Sequence, residues 1–173
     1  MSLTTVANVK EYLGIAGTSE DALLNRLKDW ATDLIHSYCG RIFTEANYDE
    51  YYDGDGTEGL LVNQYPISAV TLLEVDGVSK DASSYALYGQ LGLLKLKSGK
   101  FPRGKNNVRL RYTAGYAVTP NDLEQAAIEL VALKYYDRGR NRLGVDAKDG
   151  VSYVSHLPEE IRVVLDLHKR YRF

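Results

Sequence analysis

The chain has 173 residues, 45% of them hydrophobic and 25% charged, with a formal net charge of −2. That is enough to bury a sizeable core in one domain, and the near-neutral balance excludes a global pull toward nucleic acid or membrane. One cysteine, Cys39, excludes an internal disulfide framework and a cysteine-rich zinc site, and it reads as a buried thiol in a reducing cytoplasm.

No apolar run approaches membrane-spanning length, and MSLTTVANVK has no apolar signal-peptide core, so no membrane partner is expected. Tyrosine is over-represented, at 14 against 3 Phe and 1 Trp, which suits surfaces that are apolar yet half wet, such as protein interfaces.

A short first helix is capped by Thr4 or Thr5, carries Val6, Val9 and Leu13 on one face and stops at Gly14. A longer helix opens at Thr18 or Ser19. Leu23, Leu24, Leu27, Trp30, Ala31, Leu34, Ile35 and Tyr38 repeat along it at helical spacing up to Gly40.

From about Asn47 to Tyr116 the period becomes alternating, with turn signals at Asp53-Gly54, Tyr65-Pro66, Asp76-Gly77, Ser98-Gly99 and Arg103-Gly104. Strands are expected near 48–52, 59–62, 69–75, 85–88, 92–97 and 107–112. Helix returns at Thr119, the expected cap, with Pro120 at the first helical position and Leu123, Ala126, Ala127, Leu130, Val131, Lys134 and Tyr135 on one face. Residues Arg138 to Ser155 read as a mobile loop or arm, and a last helix begins around Pro158.

Neither helical end has enough apolar surface alone. The expected fold class is therefore α+β, a single domain in which N- and C-terminal helices (1–46 and 117–173) form a bundle around an inserted antiparallel β lobe (47–116).

In YYDGDGTEGLL, Tyr51 to Leu61, acids alternate with glycine as in calcium loops. The spacing fails an EF-hand. Counted from Asp53, the sixth position is Glu58 where glycine is needed, and the twelfth is Gln64 where the bidentate Glu belongs. The Asp-Gly pair then reads as a reverse turn joining Tyr48–Tyr52 to Gly59–Val62 in a hairpin.

Nucleophilic catalysis needs a Ser or Cys with His and acid in reach, and His36, His156 and His168 are scattered and read as exposed, solvated histidines. There is no phosphate loop, dinucleotide fingerprint or paired-His metal motif. Asp49, Glu50, Asp53, Asp55 and Glu58 cluster beside tyrosines, but all lie on one expected hairpin, whereas glycoside hydrolysis draws its two carboxylates from opposite sides of a bond. No enzyme activity, metal or cofactor is expected.

Charge is regional. No acid occurs between Ala82 and Asn121, where Lys95, Lys97, Lys100, Arg103, Lys105, Arg109 and Arg111 fall. In Leu94-Lys95-Leu96-Lys97 and Val108-Arg109-Leu110-Arg111 the bases take one face of each strand. If the two strands pair, that face is a basic plaque, which acids, phosphates or solvated side chains must relieve. Lys134, Arg138, Arg140 and Arg142 form a second basic cluster, suited to phosphate or carboxylate.

Val9-Lys10-Glu11-Tyr12-Leu13-Gly14-Ile15, Ser37-Tyr38-Cys39-Gly40-Arg41, Tyr52-Asp53-Gly54-Asp55-Gly56 with Tyr65-Pro66-Ile67, and Val108 to Tyr116 with the Pro120-Asn121-Asp122-Leu123 helix resemble the head-tail connector (adaptor, or head-completion) proteins of tailed double-stranded DNA phages and prophages. The resemblance implies a non-enzymatic virion component, assembled in the bacterial host cytoplasm as a typically dodecameric ring under the portal, with a docking surface for the tail or stopper. A ring needs two different patches per subunit. Tyr48, Asp49, Glu50, Tyr51, Tyr52, Asp53, Asp55 and Glu58 are the candidate subunit or portal interface. Lys95, Lys97, Arg109, Arg111, Arg138, Arg140 and Arg142 are the candidate channel or anionic-partner face, where packaged DNA would be met without sequence readout. A free nucleic-acid-binding module and a tail-completion protein of the same particle are the alternatives.

Overall fold

The computed structural model of the chain describes residues 2–142 and 157–169. The chain divides into two compact units, one built from both ends (1–41 and 119–173) and one from the middle (42–118). The fold is α+β, as the change of period predicts.

The first unit holds α1 (Val6–Leu13), α2 (Asp21–Cys39), α3 (Asn121–Arg142) and α4 (Glu159–Leu167). The caps follow from chemistry. Thr5 accepts a hydrogen bond from the Asn8 N–H at 3.2 Å, and Gly14 and Gly40 end α1 and α2 at φ 67°, a conformation that costs glycine little.

N-terminal α1 and α2 both pack on C-terminal α3, and α4 packs on α2 and α3. Leu24, Ala31 and Ile35 of α2 and Leu123, Ala127 and Val131 of α3 are fully buried. Each larger side chain among them contributes about 1.5–3 kcal/mol by leaving water. The extreme N-terminus is tied in by polar contacts: Thr4 Oγ1 and Asn8 Nδ2 donate to Glu124 Oε1 at 3.1 and 2.6 Å.

Four expectations need correction here. Helix α2 is capped at Glu20 and starts at Asp21, later than Thr18 or Ser19 predicts. The cap of α3 is Pro120, whose carbonyl accepts the first helical bond from Glu124 N at 3.0 Å, so the start lies one residue later than Thr119 predicts. The helix runs on to Arg142, so Arg138 is helical and not the first residue of a loop; residues 143–155 of that expected arm lie outside the described residues. His36 and His168 are half-buried rather than solvated, because α2 and α4 pack on their neighbours; burial pushes the His36 pKa down, and His168 Nε2 lies 2.7 Å from Asp122 Oδ2. His156 lies outside the described residues. Cys39 is buried, as read, with its thiol 3.5 Å from the Leu165 carbonyl.

The second unit holds β1 (Ala46–Gly54), β2 (Gly59–Leu61), β3 (Ile67–Val75), β4 (Val78–Ser79), β5 (Tyr85–Tyr88), β6 (Leu93–Leu96) and β7 (Gly104–Ala114). They form two antiparallel sheets, ordered β1-β7-β3-β4 and β2-β6-β5. Leu60, Leu94 and Leu96 of one sheet and Leu73, Val75, Val108, Leu110 and Tyr112 of the other fill a common core with Phe101.

This topology overturns two pairings. The stretch 48–52 pairs with β7 rather than with 59–62, and the Lys95 strand and the Arg109 strand lie in different sheets rather than side by side. The Asp-Gly rule holds at Asp76-Gly77, where both residues have positive φ (51° and 76°) and join β3 to β4. It fails at Asp53-Gly54. Gly54 is paired with Gly104 at the end of β1, and a Cβ there would lie 1.9 Å from the Pro102 carbonyl oxygen, so close backbone approach demands the glycine.

Candidate functional site

The outer face of the larger sheet brings together an acid and two bases that lie some 60 positions apart in sequence. Asp49 stands opposite Arg111 in the β1–β7 ladder and diagonal to Arg109. Arg109 donates from Nε and Nη2 to the two Asp49 carboxylate oxygens at 3.0 and 2.9 Å, and Arg111 Nε donates to Oδ2 at 2.8 Å. Across the other ladder Glu74 of β3 faces Arg109, at 3.6 Å. The guanidinium also lies over the Tyr51 ring, 5.4 Å from its centroid.

Hydrogen bonds from both arginines hold the Asp49 carboxyl at a pKa of about 2. The like charges that the basic pattern places on one strand are thus relieved by acids of the strands on either side.

The inner face of the same strand is a second polar array. Tyr48, Glu50 and Tyr52 alternate with the outward residues and are half-buried. Tyr52 and Tyr112 both donate to Glu50 Oε2, the latter at 2.6 Å, and their oxygens accept the backbone N–H groups of Asn63 (3.1 Å) and Gln64 (3.3 Å). Burial, with the Glu50 hydrogen bond next, pushes both phenol pKa values far above the ordinary range and keeps them proton donors. Tyr48 stacks on Tyr112 with ring centroids 5.4 Å apart. This array fastens β1 and the 63–64 segment to β7.

The acids of the 53–58 segment are occupied locally. Asp53 accepts from Asn106 N at 2.7 Å, where Asn106 takes a positive φ of 50°. Asp55 accepts from Thr57 N and Oγ1 at 2.8 and 2.7 Å, an Asx turn. Glu58 pairs with Lys95 at 3.2 Å. The segment carries the chain from the larger sheet to the smaller one.

Of the basic candidates, Lys95, Lys97 and Arg111 are exposed and Arg109 is half-buried. Arg138 Nη2 reaches Glu20 at 3.4 Å and its guanidinium lies 4.7 Å over the Tyr135 ring, within the helical unit. The side chains of Arg140 and Arg142 lie outside the described residues. Sequence reasoning misses Glu74 and Tyr112 as partners. For Tyr112 the alternation Val108, Leu110, Tyr112 is the available signal; for Glu74 there is none, because its pairing depends on a long-range register.

Comparison with known proteins gives one consistent answer. A family model for head completion proteins matches residues 2–171. No curated protein matches. Among solved structures, the chain resembles a protein in the neck of an empty GTA particle computed with C6 symmetry, at TM-score 0.67 and 19% identity, covering 97% of this chain and 90% of that one. It also resembles one in the neck of the native GTA particle computed with C12 symmetry, at TM-score 0.66 and 18% identity over 97% and 89% of the two chains. A third, in the virion of the native gene transfer agent particle, gives 0.63 and 20% over 97% and 90%.

Proposed function

The chain belongs to the head completion protein family and has the structural role of a head-tail connector; on that premise we propose that its copies close into a ring beneath a portal, continuing the channel and giving the tail or stopper a surface to dock on. It performs no catalysis, is carried in the virion, and is assembled in the host cytoplasm. The observation that carries the reading is the family match over residues 2–171, nearly the whole chain. The symmetric necks that hold its structural neighbours favour a ring.

A patch whose geometry is already set in the free subunit spares a ring interface the cost of ordering it on assembly. The outer face of β1, β7 and β3 is such a patch, because Asp49 and both arginines are locked before any partner arrives and Tyr51, 55% exposed, stands among them as an anchor. Asp49, Tyr51, Asp53, Asp55 and Glu58 are the residues proposed to meet a neighbouring subunit or the portal. Tyr48, Glu50 and Tyr52 support that strand from inside. Lys95, Lys97, Arg138, Arg140 and Arg142 remain proposed for anionic partners.

Among the described residues no helix is long and apolar enough to cross a membrane.

The test is native mass measurement of the purified chain with and without its portal. A portal-dependent closed oligomer is expected, and Tyr51→Ser should weaken it without unfolding the β unit. A chain that stays monomeric beside an assembled portal would overturn the reading.

A further inference from the structure

Arg109 and Arg111 of the β unit are engaged by acids and Arg103 donates to the Asp55 backbone carbonyl at 3.2 Å, but some of the unit's lysines have no acid partner among the described residues. Lys80, Lys97 and Lys100 are exposed and form no ion pair among the described residues. Lys80 and Lys100 line a cleft of about 360 Å³ together with Ser84, Ser98 and Gly99 and the apolar Val75, Leu96 and Pro102; the Ser84 hydroxyl donates to the Asp81 carbonyl at 2.6 Å. The turn Lys97-Ser98-Gly99-Lys100 is pinned at both sides, by Lys97 N donating to the Ser84 carbonyl at 2.9 Å and Phe101 N to the Thr57 carbonyl at 2.8 Å.

Between those two bonds, the N–H groups of Ser98, Gly99 and Lys100 have no hydrogen-bond partner within the described chain. Gly99 has φ 80° and open space where a Cβ would be, so its backbone is approachable. Asp76 is the acid in the lining, and its carboxylate accepts from Asn107 Nδ2 at 3.1 Å. Asp81, exposed, follows Lys80 in sequence.

We propose that this cleft binds a phosphate of a nucleic-acid backbone, with Lys80 and Lys100 as the charges and the Ser98–Lys100 turn as the donor cradle. Successive free N–H groups at a turn with a left-handed residue suit an anion. Lysine ammonium groups donate to phosphate oxygens as point charges from any direction, and the nearby arginine forks of the sheet are already taken up by Asp49. The proposal rests on the connector reading for its ligand's source, the DNA passing the ring.

The experiment titrates the full chain with a mixed-sequence DNA duplex at 50 and 200 mM salt, following backbone amide resonances, beside Lys80→Gln/Lys100→Gln and Lys80→Arg/Lys100→Arg. One phosphate neutralised gives a salt slope about 0.9 units steeper than the Gln variant, so the wild type should lose about 3.5-fold more affinity over that salt range, with shifts at Ser98, Gly99 and Lys100 and rescue by Arg. Equal binding by wild type and Gln variant overturns the proposal. So does binding that poly-glutamate displaces as well as DNA does, which assigns the cleft to an acidic protein, or tight binding of inorganic phosphate with no binding of DNA. Assembly on the portal is measured separately. If assembly fails while salt-dependent binding persists, the connector reading falls and the cleft stands.

Discussion

Replacing Tyr112 by Phe removes one oxygen atom from the centre of the β unit and leaves the ring in place. The side chain is 1% exposed, so no water reaches the vacated position without rearrangement. Glu50 loses the 2.6 Å hydrogen bond from Tyr112 and keeps the one from Tyr52, while the Gln64 N–H loses its 3.3 Å acceptor. A hydrogen bond to a charged group contributes about 1.5–3 kcal/mol, and the second, longer bond adds little, so a loss of about 2 kcal/mol is expected. At a urea m-value of about 2 kcal/mol/M that is a midpoint shift of about 1 M.

The single tryptophan, Trp30, lies in α2 and reports the helical unit, so the β unit is best followed through near-ultraviolet tyrosine dichroism or amide exchange of β7. A cycle with Glu50→Gln separates the carboxylate term. A shift below about 0.5 kcal/mol, or full additivity of the two changes, would show that the two tyrosines and Glu50 do not act as a unit.

Other outcomes follow from the same geometry. Asp49 titrates near 2 against an ordinary 3.8; its pairing stabilises the fold above the unfolded value and is lost as pH falls from about 4 toward 2, so carboxyl NMR should place its midpoint near 2, and Asp49→Asn should flatten the acid dependence in that window. The Cys39 thiol is pushed up from 9.0 to about 11 by burial, which lowers its thiolate fraction at pH 8 by about 100-fold. Alkylation of the native chain should be slower than that of the urea-unfolded chain by at least that factor, and comparable rates would contradict the packing of α2 on α4. Gly54→Ala drives a Cβ into the Pro102 carbonyl and should destabilise the β unit by more than about 2 kcal/mol in the same denaturation assay, overpacking being costly where backbone is the obstacle.

Reversing Arg109 and Arg111 to Glu is a poor probe of ring formation alone, because it sets four acids together on one sheet, the two new ones with Asp49 and Glu74, and unpins β1.

Much of the fold is legible in the sequence because its signals are local. The Leu24, Ala31, Ile35 stripe and the Gly14 and Gly40 stops give the helices directly, and the Val108, Leu110, Tyr112 alternation gives the inner face of β7. Pairing is less legible. An Asp-Gly dipeptide fits a hairpin at Asp76, where both residues turn, and at Asp53, where the glycine instead makes room for Pro102; distant backbone decides between them. The charges show the same limit. Alternation places Arg109 and Arg111 on one face, but only the β1-β7-β3 order reveals that Asp49 and Glu74 relieve them, while among the described residues Lys80, Lys97 and Lys100 form no ion pair. The stretch from Arg138 misleads because Gly139 and the clustered arginines read as loop, while the helical hydrogen-bond ladder continues through them to Arg142.

The central claim is that this chain is a building block of a particle's head-tail junction, and electron cryo-microscopy of the neck of particles carrying it tests that most directly. The expected result is a closed ring of density between portal and tail into which both units of the chain fit, with the outer face of β1, β7 and β3 against a neighbour. A neck fully accounted for by other chains, with this one absent from it, would contradict that claim.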